Sequence, residues 1–375
     1  MKVLQLGKFY PIRGGVEKVM YDIMLGLSER GVDCDMLCAS TEDHPSGEFV
    51  INEHAKLFVV NTSVKAAATM LAPAMISKLR NIAHHYDIIH VHHPDPMAAL
   101  ALFLSGYKGS VVLHWHSDIV KQKKLLKLYK PLQKWLIKRA NIIVGTTPIY
   151  VEQSSFLQSY KHKLDYIPIG IDPLNPDLAL VDSIKERFKG KFLIFSLGRL
   201  VEYKGYEYLI KSAIDLPNDY KVVIGGKGPL HNELQSLIDV NNLQDKVELL
   251  GFLSDEEAHA YFEASEVYVL SSIMKTEAFA IVQIEAMSCG TPVVTAEIEG
   301  SGVSWVNKDA ESGIVCEGGN ANAIAKAVRL LGEDKMLYNK LSNGARDRFV
   351  KLFHKKVMID KTINLYLGIL SRQKH

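Results

Sequence analysis

Short apolar runs alternate with amphipathic stretches along this chain, and the alternation runs through twice. Residues 3–6 read as a buried strand. Beyond a loop carrying Gly14 and Gly15, the residues Val16, Val19, Met20, Ile23, Met24 and Leu27 recur at the 3.6-residue spacing of a helix that buries one face, with Gly31 as its stop. Further strands are predicted at 36–39, 56–60, 87–91, 110–114 and 141–145. The segment Ile167-Pro168-Ile169-Gly170-Ile171-Asp172-Pro173, followed by Asn175-Pro176-Asp177, reads as a linker. The pattern then restarts, with strands at 191–197, 221–224, 247–250, 267–270, 292–295 and 313–316. Ser254 and Glu257 form the capping box of one intervening helix. From Asn320 onward the pattern is helical. Such alternation implies parallel, doubly wound sheets. Ligands of these sheets bind beyond the strands' carboxyl ends, which makes a cleft between two such domains the expected active site.

The bulk numbers agree with two domains and narrow the class. A chain of 375 residues is longer than one core usually supports. Its net charge of +2 argues against a dedicated nucleic-acid binder. The start is too short and too soon broken for a signal peptide. The weakly polar stretches 66–76 and 97–104 fall well short of the roughly 20 residues a bilayer requires. The chain is therefore expected to stay inside the cell without spanning a membrane. Cys34, Cys38, Cys289 and Cys316 show no C-x-x-C pair and no histidine at zinc spacing, as expected of small core residues in a reducing compartment.

Two segments carry the candidate chemistry. In Glu277-Ala278-Phe279-Ala280-Ile281-Val282-Gln283-Ile284-Glu285, two glutamates lie eight apart, the first in a loop after a strand and the second inside the next helix. Eight helical residues rise about 12 Å, the scale from a sugar ring across a diphosphate to a ribose. One carboxylate can accept hydrogen bonds from sugar hydroxyls and the other from ribose hydroxyls. The amides of Phe279, Ala280 and Ile281 at the helix start would face the diphosphate. The plainer alternative is two surface glutamates. The second segment, Gly198-Arg199-Leu200-Val201-Glu202-Tyr203-Lys204-Gly205, ends the second domain's first strand. Arg199 can grip a phosphate with two donors and Lys204 adds a compact charge, together able to neutralise a diphosphate leaving group without magnesium. On its own such a spacing is more often a solvated turn.

These segments, with Phe9-Tyr10-Pro11-x-x-Gly14-Gly15-Val16-Glu17, His114-Trp115-His116-Ser117-Asp118, residues 167–172 and Gly225-Gly226-Lys227-Gly228-Pro229-Leu230, resemble retaining glycosyltransferases of family 4 with the GT-B fold, over nearly the whole chain. The resemblance implies an α/β GT-B architecture of two tandem Rossmann-like domains: residues 1–172 binding acceptor, 173–350 binding a nucleotide sugar, and 351–375 a C-terminal helix able to pack back on the first domain. It implies that Arg199 and Lys204 hold the diphosphate and Glu285 the ribose. Glu277 and His116 would lie at the donor sugar as catalytic residues. Gly14, Gly15, Gly226, Phe279, Ala280 and Ile281 would line the donor site. No cofactor or metal is implied, because Arg199 and Lys204 neutralise the diphosphate; retention without a covalent intermediate follows from the departing phosphate oxygen taking the acceptor's proton. The family commonly carries glycine where this chain has Ala278 and Ala280, so a positive φ at either position would strain the loop.

Other features are read against plainer alternatives. Asp33-Cys34-Asp35 has the spacing of a metal-binding D-x-D but reads as a loop leading into a strand. His90-Val91-His92-His93 invites a zinc reading, with His90 and His92 on one side of a strand and no third ligand evident. Between Ile119 and Arg139 lie Lys121, Lys123, Lys124, Lys127, Lys130, Lys134 and Lys138 with no acid, among Leu125, Leu126, Leu128, Tyr129, Leu132, Trp135 and Leu136. This stretch suits an anionic membrane surface, the plainer alternative being a solvated basic face whose leucines pack on its own domain, and Pro131 is expected to divide it into two helices. The residues around His114 resemble enzymes that build bacterial surface polysaccharide. That resemblance implies transfer of a hexose, mannose from GDP-mannose first, to a lipid-diphosphate-linked oligosaccharide by a peripheral enzyme of the inner membrane face. The competing readings are a soluble transferase making a small glycoside and a nucleotide-sugar epimerase on the same fold.

Overall fold

A parallel strand covered by helices on both faces has no solvent side, so its sequence reads as a continuous apolar run. The computed structural model of the chain describes residues 1–12, 14–41, 44–66, 69–119 and 123–372. Each apolar run noted above lies in a strand of this structure, with bounds differing by a few residues. The chain divides into two compact units, one formed by Met1–Ile169 with Lys355–His375 and the other by Gly170–His354.

The first unit is built on an eight-stranded sheet. Its order is Leu164–Tyr166, Ile142–Gly145, Ser110–Trp115, Ile88–His93, Lys2–Tyr10, Asp33–Ser40, Ala55–Val60 and Gly47–Asn52. Only the last pairing is antiparallel. Gly47–Asn52 is an edge strand with no fully buried residue, and its apolar run is only Phe49-Val50-Ile51, too short to stand out in the sequence. Helix Gly15–Ser28 stops short of Gly31, which takes a left-handed φ of 76°. The C-terminal helix Lys355–Arg372 belongs to this unit. It lies close enough to Gly15–Ser28 that a Cβ at Gly26 would press on Ile359, and its Tyr366 is fully buried.

The second unit has six parallel strands in the order Val247–Gly251, Tyr220–Gly225, Phe192–Leu197, Val267–Leu270, Val293–Ala296 and Gly313–Cys316. The Ser254–Glu257 capping box is formed. No described helix is long and apolar enough to cross a membrane. One sequence expectation fails: Lys123–Arg139 is a single helix with Pro131 inside it. Pro131 sits on the exposed side, while Tyr129 before it and Gln133 after it both reach His93 of the sheet and Leu136 and Ile137 are buried, so packing on either side compensates for the lost backbone bond.

Candidate active site

Strand order in the second unit reverses between Phe192–Leu197 and Val267–Leu270: successive strands run outward from the first in one direction and from the second in the other. At such a switch point the loops leaving the two carboxyl ends diverge and open a ligand site. The two loops here are Gly198 to Gly205 and Ser271 to Ala280, the two segments singled out by their chemistry.

Glycine is required where these loops meet. A Cβ at Gly226, whose φ is 131°, would run into the Gly198 carbonyl, and one at Gly205, with φ 64°, would strike the Ser271 carbonyl. This close approach brings Lys204 to Glu277, with Nζ 2.5 Å from Oε2 and both side chains nine-tenths buried. Ser272 donates its hydroxyl to the same oxygen at 3.1 Å. Ser271 donates to the Lys204 carbonyl at 2.9 Å, and the Ser301 hydroxyl donates to the Glu277 carbonyl. Tyr268, fully buried, donates to the Leu197 carbonyl at 3.3 Å. Burial first, then Tyr206 and the carboxylates of Glu277 and Glu285, push its phenol well above the usual range. Arg199, two residues beyond Leu197, is exposed, and its guanidinium has no partner among the described residues.

The helix after this loop begins at Ile281, so only the step from Ile281 to Glu285 is helical and the 12 Å rise does not apply from Glu277. Ala280 is its N-cap, at φ 61° and ψ 84°, and no side chain caps the helix, which leaves the first amides for an anion. Ala280 thus holds a conformation that favours glycine, whereas Ala278 does not. Phe279 is buried with its ring edge-on to Phe353, 5.9 Å between centroids. Sequence reasoning missed Gln283, which donates to the Phe279 carbonyl at 2.9 Å and accepts from Thr295 Oγ1 at 2.9 Å. Asn307 extends that buried network to Thr295. The only sequence signal was a polar residue on the buried face of an apolar helix.

In the first unit, Gly14 is the N-cap of Gly15–Ser28 in extended backbone, so no left-handed φ demands glycine there. His116 follows strand Ser110–Trp115 and is buried. Strand register sets His92 opposite His114, and His90, His92, His114 and His116 stack on one face, the closest pair being His114 and His116 at 4.0 Å. A chain of hydrogen bonds orders them. Gln5 Nε2 donates to the Tyr366 hydroxyl at 3.1 Å, so its Oε1 accepts from His92 Nε2 at 2.8 Å. His92 Nδ1 then accepts from His116 Nε2 at 2.9 Å, leaving His116 Nδ1 as an acceptor. Burial, then the neighbouring His114, His92, Lys8 and His90, hold His116 well below the usual histidine range and neutral. Segment 90–93 contributes only His92 to a set of nitrogens close enough to share an ion; His114 on the neighbouring strand and His116 just beyond it supply the other two. Asp33 and Asp35 of the D-x-D bind His54 on one side and Lys56 and Tyr86 on the other, all within this unit. Val120, Lys121 and Gln122 of the basic stretch lie outside the described residues, as do the side chains of 123–126.

Comparison with known proteins agrees with this construction. Residues 13–173 match the family described as Glycosyltransferase Family 4, and 181–348 match Glycosyl transferases group 1. O-antigen chain mannosyltransferase C of Escherichia coli is 32% identical over 99% of both chains. The chain belongs to glycosyltransferase family 4. D-rhamnosyltransferase WbpZ of Pseudomonas aeruginosa is 30% identical to this glycosyltransferase over 94% of its length and 92% of its own. A Campylobacter jejuni enzyme named as acting on a diphospho-undecaprenol-linked sugar, an N-acetylgalactosaminyltransferase, is 34% identical over 77% of this chain and 78% of its own. Anabaena HepE, solved in complex with UDP, superposes with a TM-score of 0.76 at 20% identity over 98% of this chain and all of its own, which shows the GT-B fold. The expected fold and family are thus both found.

Proposed function

We propose that this glycosyltransferase moves a hexose, mannose from GDP-mannose as the first assignment, onto a lipid-diphosphate-linked oligosaccharide in bacterial surface polysaccharide synthesis, with retention and without a metal. The observation that carries the reading is the buried Lys204–Glu277 pair where the two switch-point loops meet, on the loop that also carries the exposed Arg199. Relatives named for O-antigen mannosyl transfer and for a diphospho-undecaprenol acceptor support the sugar and acceptor classes.

In this reading Arg199 and Lys204 hold the donor's diphosphate, assisted by the uncapped amides at Ile281. Glu285 accepts from the ribose hydroxyls and Glu277 from the sugar, while His116 Nδ1 accepts from a hydroxyl at the reacting sugar. The acceptor hydroxyl attacks the anomeric carbon on the face the phosphate leaves. Its proton passes to the departing phosphate oxygen, so one C–O bond breaks and one forms with no enzyme-bound sugar. The protein contributes orientation and charge stabilisation. An exposed basic face on helix Lys123–Arg139, with Lys127, Lys130, Lys134, Lys138 and Leu128, would hold the enzyme to an anionic membrane where such acceptors reside.

The test is a thermal-shift screen with GDP-, UDP-, ADP- and dTDP-sugars, followed by transfer to a synthetic polyprenyl-diphosphate saccharide with the anomeric configuration read by NMR. A donor at 100 times its Kd stabilises by about 2.7 kcal/mol, so one nucleotide class should stand out, GDP-mannose first, and the product should be α-linked. Failure of every nucleotide sugar to shift the unfolding temperature would overturn the assignment, and an epimerised donor without transfer would replace it.

A further inference from the structure

Four imidazoles crowded on one sheet face carry eight ring nitrogens, and three of these, His90 Nε2 and both nitrogens of His114, are buried without a partner. A buried polar group without a partner is destabilising, so their concentration in one place calls for an occupant that a packed neutral core does not supply. We propose that His92, His114 and His116 form a binding site for one divalent transition-metal ion of the zinc class. One ligand nitrogen from each of the three lies within 4.8 Å of the others, and all three residues are buried.

The surroundings have the features such a site requires. His92 Nδ1 and His116 Nε2 already face each other at 2.9 Å. The far nitrogen of His92 donates to Gln5, itself anchored on Tyr366, which is the outer hydrogen bond that orients a metal-bound imidazole. An all-imidazole set favours zinc, cobalt, nickel or copper over magnesium or calcium, and three histidines leave a fourth position for water. The Lys8 ammonium nearby opposes a further cation, but Asp95 lies against it. His114 and His116 stack with rings 12° from parallel, so a shared ion turns at least one ring toward itself.

Occupancy changes the chemistry of His116. Its Nε2 now donates to His92, and coordination through that nitrogen moves the proton to Nδ1, with no net release from the ring. Nδ1 becomes a donor where the empty-handed imidazole was an acceptor, so zinc inhibits transfer. Only this inhibition rests on the proposed reaction; ion binding does not.

The experiment uses the tag-free full-length chain, stripped with a chelator and titrated with Zn2+ against a chromogenic competitor, then with Co2+ to read visible absorption of the coordinated ion. One equivalent is expected for the native chain and for the His84→Ala/His85→Ala variant, which removes an exposed histidine pair elsewhere. Binding and the cobalt band should be lost in His114→Phe and in His92→Gln. No stoichiometric binding by the native chain, or full binding by both of those variants, overturns the proposal. Should the variants fail to fold, 15N spectra of histidine-labelled native chain decide: zinc must move the buried ring nitrogens, and shifts confined to exposed histidines reject the site. A chain that binds zinc yet transfers no sugar fails the functional reading alone.

Discussion

Replacing Lys204 by methionine keeps the unbranched stem as far as Cε and removes the ammonium, which isolates the ion pair with Glu277. The two side chains are only 12% and 11% exposed, and the carboxylate would retain the Ser272 hydroxyl as a donor. Removing one member of a buried pair costs about 3–5 kcal/mol; the slight exposure lets some water return, placing Lys204→Met at the lower end, about 3 kcal/mol. For a unit of this size each kcal/mol moves the unfolding temperature by roughly 2–4 °C, so a fall of about 6–12 °C is expected. Glu277→Gln should cost about 2 kcal/mol by stranding the ammonium. The double variant leaves no buried charge and should lie about 2 kcal/mol or more above the sum of the singles, measured as a coupling in a double-mutant cycle. Urea unfolding followed by far-UV circular dichroism gives all four values. Additivity of the two singles within about 0.5 kcal/mol would refute the inference that the loops are locked to each other through this pair.

Three further outcomes follow from the structure. Gln283→Leu leaves the Phe279 carbonyl and Thr295 short of partners, so it should destabilise the second unit by about 2 kcal/mol and weaken nucleotide binding, both read by calorimetry. Ala280→Gly relieves a left-handed residue, worth roughly 1–2 kcal/mol, against an unfolded-chain penalty of about 0.4–1 kcal/mol and a buried methyl; its denaturation midpoint should be no lower than wild type and higher than that of Ala278→Gly, where φ is not positive. Exchanging Lys127, Lys130, Lys134 and Lys138 for serine should abolish flotation with anionic vesicles and leave the melting temperature unchanged, because these side chains are exposed; equal flotation of variant and wild type would remove the membrane role.

The sequence made the parallel strands and both chemical loops legible for physical reasons. Strands such as Val267–Leu270 and Val293–Ala296 are buried throughout, and the Gly198–Gly205 and Glu277–Glu285 segments concentrate charge at strand ends. Legibility stopped where partners come from afar. The histidine block joins two strands with Gln5 and Tyr366, the latter 361 residues from Gln5, and no local spacing could report it. Pro131 misled because helix continuity was decided by the buried residues on either side, not by the one missing amide. The conformation of Ala280 could be posed as a question by its departure from glycine but answered only by the backbone.

The central claim is that charge at the second unit's switch point grips a nucleotide diphosphate, and Arg199 tests it most cleanly because it is exposed and without a partner among the described residues. Isothermal titration of the full-length chain and of Arg199→Ala with GDP-mannose, or with whichever donor the screen selects, separates binding from folding. Losing a charged hydrogen bond of about 1.5–3 kcal/mol weakens binding roughly 10- to 150-fold, with the unfolding midpoint unmoved. Equal affinity in the two proteins would contradict the account.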